Sequence, residues 1–110
     1  MPPSDSTPLA TILIPTFDHA DLIAFPLRSI LRQSDQDFEI LVVGDGVPER
    51  TREVLAPFLD DPRIRFFDNP KGAGNGELHR HAALQEASGD IVCYCGDDDL
   101  WLPDHLATLR

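Results

Sequence analysis

Short apolar runs and amphipathic stretches take turns along the chain. Residues 10–15 read Ala-Thr-Ile-Leu-Ile-Pro, a run too short for a helix and closed by Pro15, which predicts a buried strand. Over residues 20–33 the apolar positions Leu22, Ile23, Leu27, Ile30 and Leu31 recur at helical spacing. Asp18 is placed to cap that helix. Pro26 requires it either to kink or to begin late, because a proline inside a helix removes an N–H and crowds the preceding turn. Residues 38–43 (Phe-Glu-Ile-Leu-Val-Val) form the clearest strand, ended by Gly44-Asp45-Gly46. Residues 49–59 are helical in pattern and trimmed by Pro57, and Ile64, Phe66 and Phe67 mark a third strand. Residues 68–76 are turn chemistry throughout. A helix over 77–87 stops at Ser88-Gly89, a fourth strand covers 91–95, and a last helix starts near Pro103-Asp104.

Strands that alternate with helices predict an α/β fold, a mostly parallel sheet with helices on both faces. In such sheets ligands sit beyond the carboxyl ends of the strands. Those ends carry Thr16-Phe17-Asp18, Gly44-Asp45-Gly46 and Asp97-Asp98-Asp99, so three polar or acidic clusters converge on one edge. Residues 1–8 hold three prolines and no long apolar residue and read as a flexible leader, leaving 9–110 as one domain.

Charge narrows the chemistry. Nine Lys and Arg against nineteen Asp and Glu give a net charge of −10, which argues against a nucleic-acid partner, since phosphate contacts need clustered cations. An acidic protein can still take a phosphate ligand if a divalent cation bridges the two charges. The apolar fraction, 42%, is that of a globular chain, and no apolar run approaches the roughly 18 residues of a membrane span. The first residues lack the basic and apolar regions of a signal peptide. Two cysteines are too few for a disulfide framework and point to the reduced cytoplasm.

Asp97, Asp98 and Asp99 are the sharpest feature. Adjacent carboxylates at a strand end repel one another unless a cation is bound, and hard oxygens suit Mg²⁺ or Mn²⁺; the competing reading is a solvated acidic turn. Asp45 can accept from an N–H donor such as the imide of a uracil-like base, although taken alone a plain Gly-Asp-Gly strand-to-helix turn is the better reading. The glycines at 72, 74 and 76 are spaced G-x-G-x-G after the third strand, which is not a dinucleotide fingerprint. Lys71 could contact phosphate but reads as a solvated loop lysine, and Arg80 reads as a surface ion pair unless it neutralises part of a nucleotide or holds a site carboxylate in place. His79 and His81 point to different helix faces, His19 and His105 have no evident partner, and no histidine is assigned a catalytic role. Cys93 and Cys95 read as buried free thiols and Trp101 as packing.

Several segments together carry a family resemblance: T-I-L-I-P-T-F-D, then S-I-L-R-Q-S-D-Q-D-F-E-I-L-V-V-G-D-G, R-I-R-F-F, L-H-R-H-A-A-L and G-D-I-V-C-Y-C-G-D-D-D-L-W-L-P-D. Over residues 9–110 the chain resembles the N-terminal half of the family 2 glycosyltransferases, which have the Rossmann-like GT-A fold. The resemblance implies that Pro15, Thr16 and Phe17 line a nucleotide pocket, Asp45 bonds the base, Arg80 lies near base or ribose, and Asp97 contacts ribose. It implies a DxD-type motif in which Asp97, Asp98 and Asp99 hold Mn²⁺ or Mg²⁺ under a nucleotide-sugar, with a UDP-sugar as donor and an unidentified acceptor. Gly44 and Gly96 stand where the family commonly has Asp, and Pro26 where it has a helix former. The catalytic base and the acceptor elements belong to the family's second half, so this chain alone is expected to be inactive, to expose surfaces that promote homo-oligomers, and to owe any membrane association to residues beyond it. The competing reading is a non-catalytic module that binds nucleotide or a protein through its sheet edge. A phosphatase or phospho-receiver centred on Asp45 is disfavoured by the motifs on both sides of it.

Overall fold

The computed structural model describes residues 7–72, 74, 76–97 and 99–109. Four strands, β1 (Ala10–Thr16), β2 (Phe38–Asp45), β3 (Ile64–Asn69) and β4 (Ile91–Tyr94), form one sheet in the order β3-β2-β1-β4. Every pairing is parallel. The helices α1 (Ala24–Leu31), α2 (Glu49–Leu55) and α3 (Glu77–Leu84) are the crossovers. The chain steps outward from β1 to β2 to β3, then returns to place β4 on the other side of β1. Where that direction reverses, the connections diverge and a crevice opens at the carboxyl edge.

The two-residue period of the strands separates two cores. Ile12, Ile14, Ile40, Val42 and Ile64 share one face with Ile23, Leu27, Ile30, Leu55 and Leu106. The register stacks them, Ile12 beside Ile40 and Ile40 beside Ile64. Leu13, Leu41 and Val43 form the smaller core on the other face, with Ala83 of α3 and the flanking Phe67, Leu84 and Ala87. Helices therefore lie on both faces, as the alternation of elements predicts.

The differences from expectation are local. Helix α1 begins late, at Ala24, so that Pro26 falls in its first turn, where the backbone N–H has no intrahelical partner to lose. Asp18 does not cap it: Ile23 is the N-cap, and a turn closed by the His19 carbonyl, accepting from Leu22 and Ile23 N–H at 2.9 and 3.0 Å, comes between. The stretch 49–59 splits into α2 and a 3₁₀ turn, Ala56–Asp60, containing Pro57. β2 and β3 run two residues further than their apolar runs, to Asp45 and Asn69.

The helix expected from Pro103 onward is replaced by turns and a short 3₁₀ segment, Ala107–Leu109. Side-chain and loop groups of the α1 end take its polar atoms. Gln33 Nε2 donates to the Leu102 carbonyl (2.7 Å), Ser34 N–H to the Pro103 carbonyl (2.8 Å), and Leu106 N–H to Gln33 Oε1 (3.0 Å). Leu106 is thereby driven fully into the larger core. Of the expected leader, residues 1–6 lie outside the described residues, while the Pro8 carbonyl is already fixed by Asp90 N–H at 3.2 Å.

Candidate functional site

A cleft of about 550 Å³ lies at the carboxyl edge of the sheet. Its floor and walls come from the ends of β1 and β2, the loop after β3, helix α3 and the segment after β4. Pro15, Thr16, Phe17, Asp45, Arg80 and Asp97 all line it, so the structure gathers every nucleotide-site candidate of the sequence in one place.

Each wall has a local cause. β1 ends in Pro15-Thr16, and the chain leaves the sheet with the Phe17 ring 51% exposed at the cleft. Thr16 is buried, and its Oγ1 has no hydrogen-bond partner among the described residues. A buried hydroxyl without a partner is costly, which marks this end of β1 as a place where the wall of the cleft is not fully satisfied by the described residues. β2 ends in Asp45, which the sheet buries almost completely. Gly46 then turns the chain at φ +71, and a Cβ there would come within 2.6 Å of Lys71 Cβ. The glycine supplies both the backbone conformation and the room for the β3 loop to close down.

That loop closes on Asp45. Gly72 N–H donates to Asp45 Oδ1 at 2.8 Å, and Lys71 Nζ to Asp45 Oδ2 at 3.1 Å. The same ammonium donates to the Gly72 and Gly74 carbonyls at 3.0 and 3.1 Å and sits 5.5 Å from the Phe17 ring centroid. His79 of α3 bonds the Pro70 carbonyl at 2.8 Å and stands 3.6 Å from Asp45 Oδ1. These donors, the Gly72 amide first and then the Lys71 ammonium, hold the Asp45 carboxyl below its usual range although partial burial pulls the other way. Asp45 is therefore an ionised acceptor at neutral pH.

At the far side Asp97 is buried, with Oδ1 2.8 Å from His19 Nδ1. Asp98 lies outside the described residues. Asp99 is exposed and turned back, its Oδ2 accepting from Gly96 N–H at 3.2 Å, and it does not line the cleft. Among the described residues no three His, Cys, Asp or Glu side chains converge as a cation site. Of the described carboxylates of the triplet, Asp97 alone lines the cleft, and Mg²⁺ is commonly held by one or two carboxylates with phosphates and water completing its shell.

Two corrections concern Lys71 and His19. Lys71 is not a solvated loop lysine, since all three of its N–H donors are used inside the site. His19 does have a partner, Asp97. His79 also enters the site, beside Asp45. Topology was the signal that could have found them. With β3 next to β2 and β4 next to β1, residues just past β3 fall beside Asp45 and those just past β1 fall beside Asp97. The cysteines and Trp101 stay out of the chemistry. Cys95 is buried and Cys93 half-buried; both are free and pack on the larger core. Burial, with Asp99 and Asp97 adding to it, pushes the Cys95 thiol up to about 12. Trp101 packs on the same core and stacks with His105 at 4.4 Å between ring centroids.

The chain is similar in sequence and in fold to known proteins. Residues 11–109 match Glycosyl transferase family 2. The chain is 34% identical over 105 residues to the GalNAc(5)-diNAcBac-PP-undecaprenol beta-1,3-glucosyltransferase of Campylobacter jejuni, covering 93% of this chain and 33% of that protein. Among solved structures it is similar to S. aureus TarS 1–349 in complex with UDP (TM-score 0.81, 22% identity, 91% of this chain and 30% of that one). It is also similar to the mannosyltransferase PcManGT from Pyrobaculum calidifontis in complex with GDP-Man and Mn²⁺ (TM-score 0.69, 26% identity, 86% and 29%). The chain thus spans about a third of the length of the proteins it matches.

Proposed function

The chain belongs to Glycosyl transferase family 2, and from that premise we propose that residues 9–110 are the nucleotide-sugar-binding part of a glycosyltransferase. One observation carries the reading: an ionised, nearly buried carboxylate and an exposed aromatic ring line one cleft where the sheet order reverses, beside Thr16, whose buried hydroxyl has no partner among the described residues. Phe17 offers a face on which a base can stack. Asp45 accepts from a base N–H, and Thr16 and Asp97 are placed for hydroxyls of the nucleoside. Arg80 supplies positive charge against a diphosphate in a protein whose net charge is −10.

A uridine nucleotide is the proposed donor, supported by UDP in the TarS complex; the GDP-Man of the Pyrobaculum enzyme makes guanosine the alternative to test. In the complete enzyme an acceptor hydroxyl would displace the nucleoside diphosphate from the sugar, with the base that activates it outside these 110 residues. A divalent cation, Mn²⁺ or Mg²⁺, is proposed on the Asp97-Asp98-Asp99 sequence and on the Mn²⁺ of the Pyrobaculum complex. A cytoplasmic location is proposed on the cysteine usage, both thiols being free. No helix among the described residues is long and apolar enough to cross a membrane.

The test is a set of ¹⁵N–¹H correlation spectra recorded with UDP and with GDP, each with Mg²⁺ and again after EDTA. Amide shifts clustered on Phe17, Asp45, Arg80 and Asp97 are expected with UDP, smaller after EDTA. A dispersed spectrum that no nucleotide perturbs would sink the donor-site reading.

A further inference from the structure

Lys71 stands out because the sequence offers it only as a solvated lysine or a phosphate contact, yet it makes more polar contacts within the site than a loop lysine needs. It sits at the root of the loop that follows β3. Its ammonium gives one N–H to Asp45 Oδ2 and the other two to the Gly72 and Gly74 carbonyls. An ammonium has three donors, so none is left for a ligand without breaking an internal bond. The Gly72 amide, next in the chain, closes on the other carboxylate oxygen. Lysine and glycine together therefore grip both oxygens of Asp45 and fix the plane of its carboxylate. Each oxygen has a second lone pair, and those are what a bound base would meet. The Lys71 side chain is 46% exposed and the Asp45 side chain 10%, so the acid is the buried member and the lysine the one reaching in from the rim.

Without Lys71, the chain from Gly72 to Gly74 would lose the donor that ties its carbonyls together, and a glycine-rich loop carries the highest conformational entropy. Asp45 would keep its charge but lose half of its grip. Preorganised acceptors bind better than mobile ones because the ordering has already taken place. We propose that Lys71 is a positioning residue of the donor site, which acts through Asp45 on recognition of the base rather than by touching the nucleotide's phosphates. This rests on the donor-site reading given above.

The two roles separate experimentally, because uridine has the base without the phosphates. The protein is titrated with uridine and with UDP, as wild type and as Lys71→Met, Lys71→Arg, Asp45→Asn and the Asp45→Asn/Lys71→Met double variant. Lys71→Met is expected to weaken uridine and UDP by the same factor, about three- to tenfold. Lys71→Arg, which keeps the charge and several donors, recovers most of that loss. In the Asp45→Asn background Lys71→Met costs nothing further, since its target is gone. A loss confined to UDP would make Lys71 a phosphate contact and overturn the proposal. So would additive effects of the two substitutions, or a Lys71→Met protein with unchanged affinity for both ligands. Amide spectra of each variant exclude loss of fold, and Lys71→Gln replaces Lys71→Met should the latter not fold. If wild type binds neither uridine nor UDP, the donor-site reading falls and this assignment with it; if it binds both and the cycle is additive, only the assignment of Lys71 falls.

Discussion

At the residue scale the site is a set of acids, each matched by a hydrogen-bonding partner. Asp45 is held by Gly72 and Lys71 with His79 nearby, and Asp97 by His19. That matching has a pH consequence. The folded pKa of Asp45 lies below its unfolded value of about 3.9, so its contribution to stability is full above that value and is lost as pH falls through the lower, folded one. A base N–H needs the ionised form, so uridine affinity should stay flat from neutral pH down to about 4 and fall only below it. In Lys71→Met, with one of the depressing donors removed, the acid limb should move upward. Titration by NMR with the fold monitored by circular dichroism checks both, and an acid limb unmoved by Lys71→Met would contradict the assignment of cause. Phe17 yields a second expectation. Its ring is half exposed and spans no core, so Phe17→Ala should leave the unfolding midpoint nearly unchanged. Affinity for uridine should nonetheless drop by the about 1–3 kcal/mol typical of base stacking on an aromatic ring. A fall in stability without loss of affinity would return Phe17 to a packing role.

At the scale of elements, the sequence was most legible where burial dictates residue type. The apolar runs at 10–15 and 38–43 became strands because the sheet core admits little else, whereas the run at 91–95 pairs only over Ile91–Tyr94, at the edge and with alternate side chains exposed. The ends were less legible. Backbone pairing, which is blind to side chains, carried β2 into Asp45 and β3 into Asn69. The late start of α1 followed from Pro26, whereas the failure of the last helix depended on Gln33, some 70 positions earlier in the chain, and no local pattern encodes such a contact. The same holds in the site. Asp45 and Asp97 could be read from the ends of strands, but the pairings with Lys71 and His19 follow only once the strand order is known. One long-range stitch can be tested directly. The turn into β4 is tied down where Gly89 N–H donates to Thr11 Oγ1 (2.9 Å) and Ser88 N–H to Glu39 (2.7 Å), while Thr11 Oγ1 also donates to Glu39. A Cβ on Gly89 would fall 2.4 Å from the Thr11 backbone nitrogen. The obstacle is backbone inside a sheet and cannot step aside. Gly89→Ala should therefore destabilise the fold by about 2 kcal/mol or more, read as a lower denaturant midpoint with unchanged slope. A cost under about half a kcal/mol would mean that β4 is only loosely attached.

At the scale of the whole molecule the two faces of the sheet are unequally covered. α1, α2 and the segment carrying Leu106 close over one face, while on the other the only helix, among the described residues, is α3, which packs on β2. β4 is an edge strand, and the residues it turns to that second face, Val92 and Tyr94, are 45% and 58% exposed. Parallel strands normally have both faces buried, and an uncovered edge with apolar side chains invites a second chain to pair with it. The net charge of −10 opposes that encounter, because two copies meet as like charges, and salt screens the repulsion over about 10 Å at 0.1 M. The two effects give association a definite sign with ionic strength. Copies of this chain should be mostly monomeric at low salt and form dimers or larger species as salt and concentration rise, opposite to an assembly held by ion pairs. Sedimentation velocity across a salt and concentration series reads this directly. Val92→Lys places a charge on the exposed side of the edge without entering either core, so it should restore the monomer at high salt while leaving uridine affinity unchanged. A chain that stays monomeric at every salt concentration would show that α3 and the charge together suffice to protect this edge. Association that Val92→Lys leaves intact would move the contact to another surface.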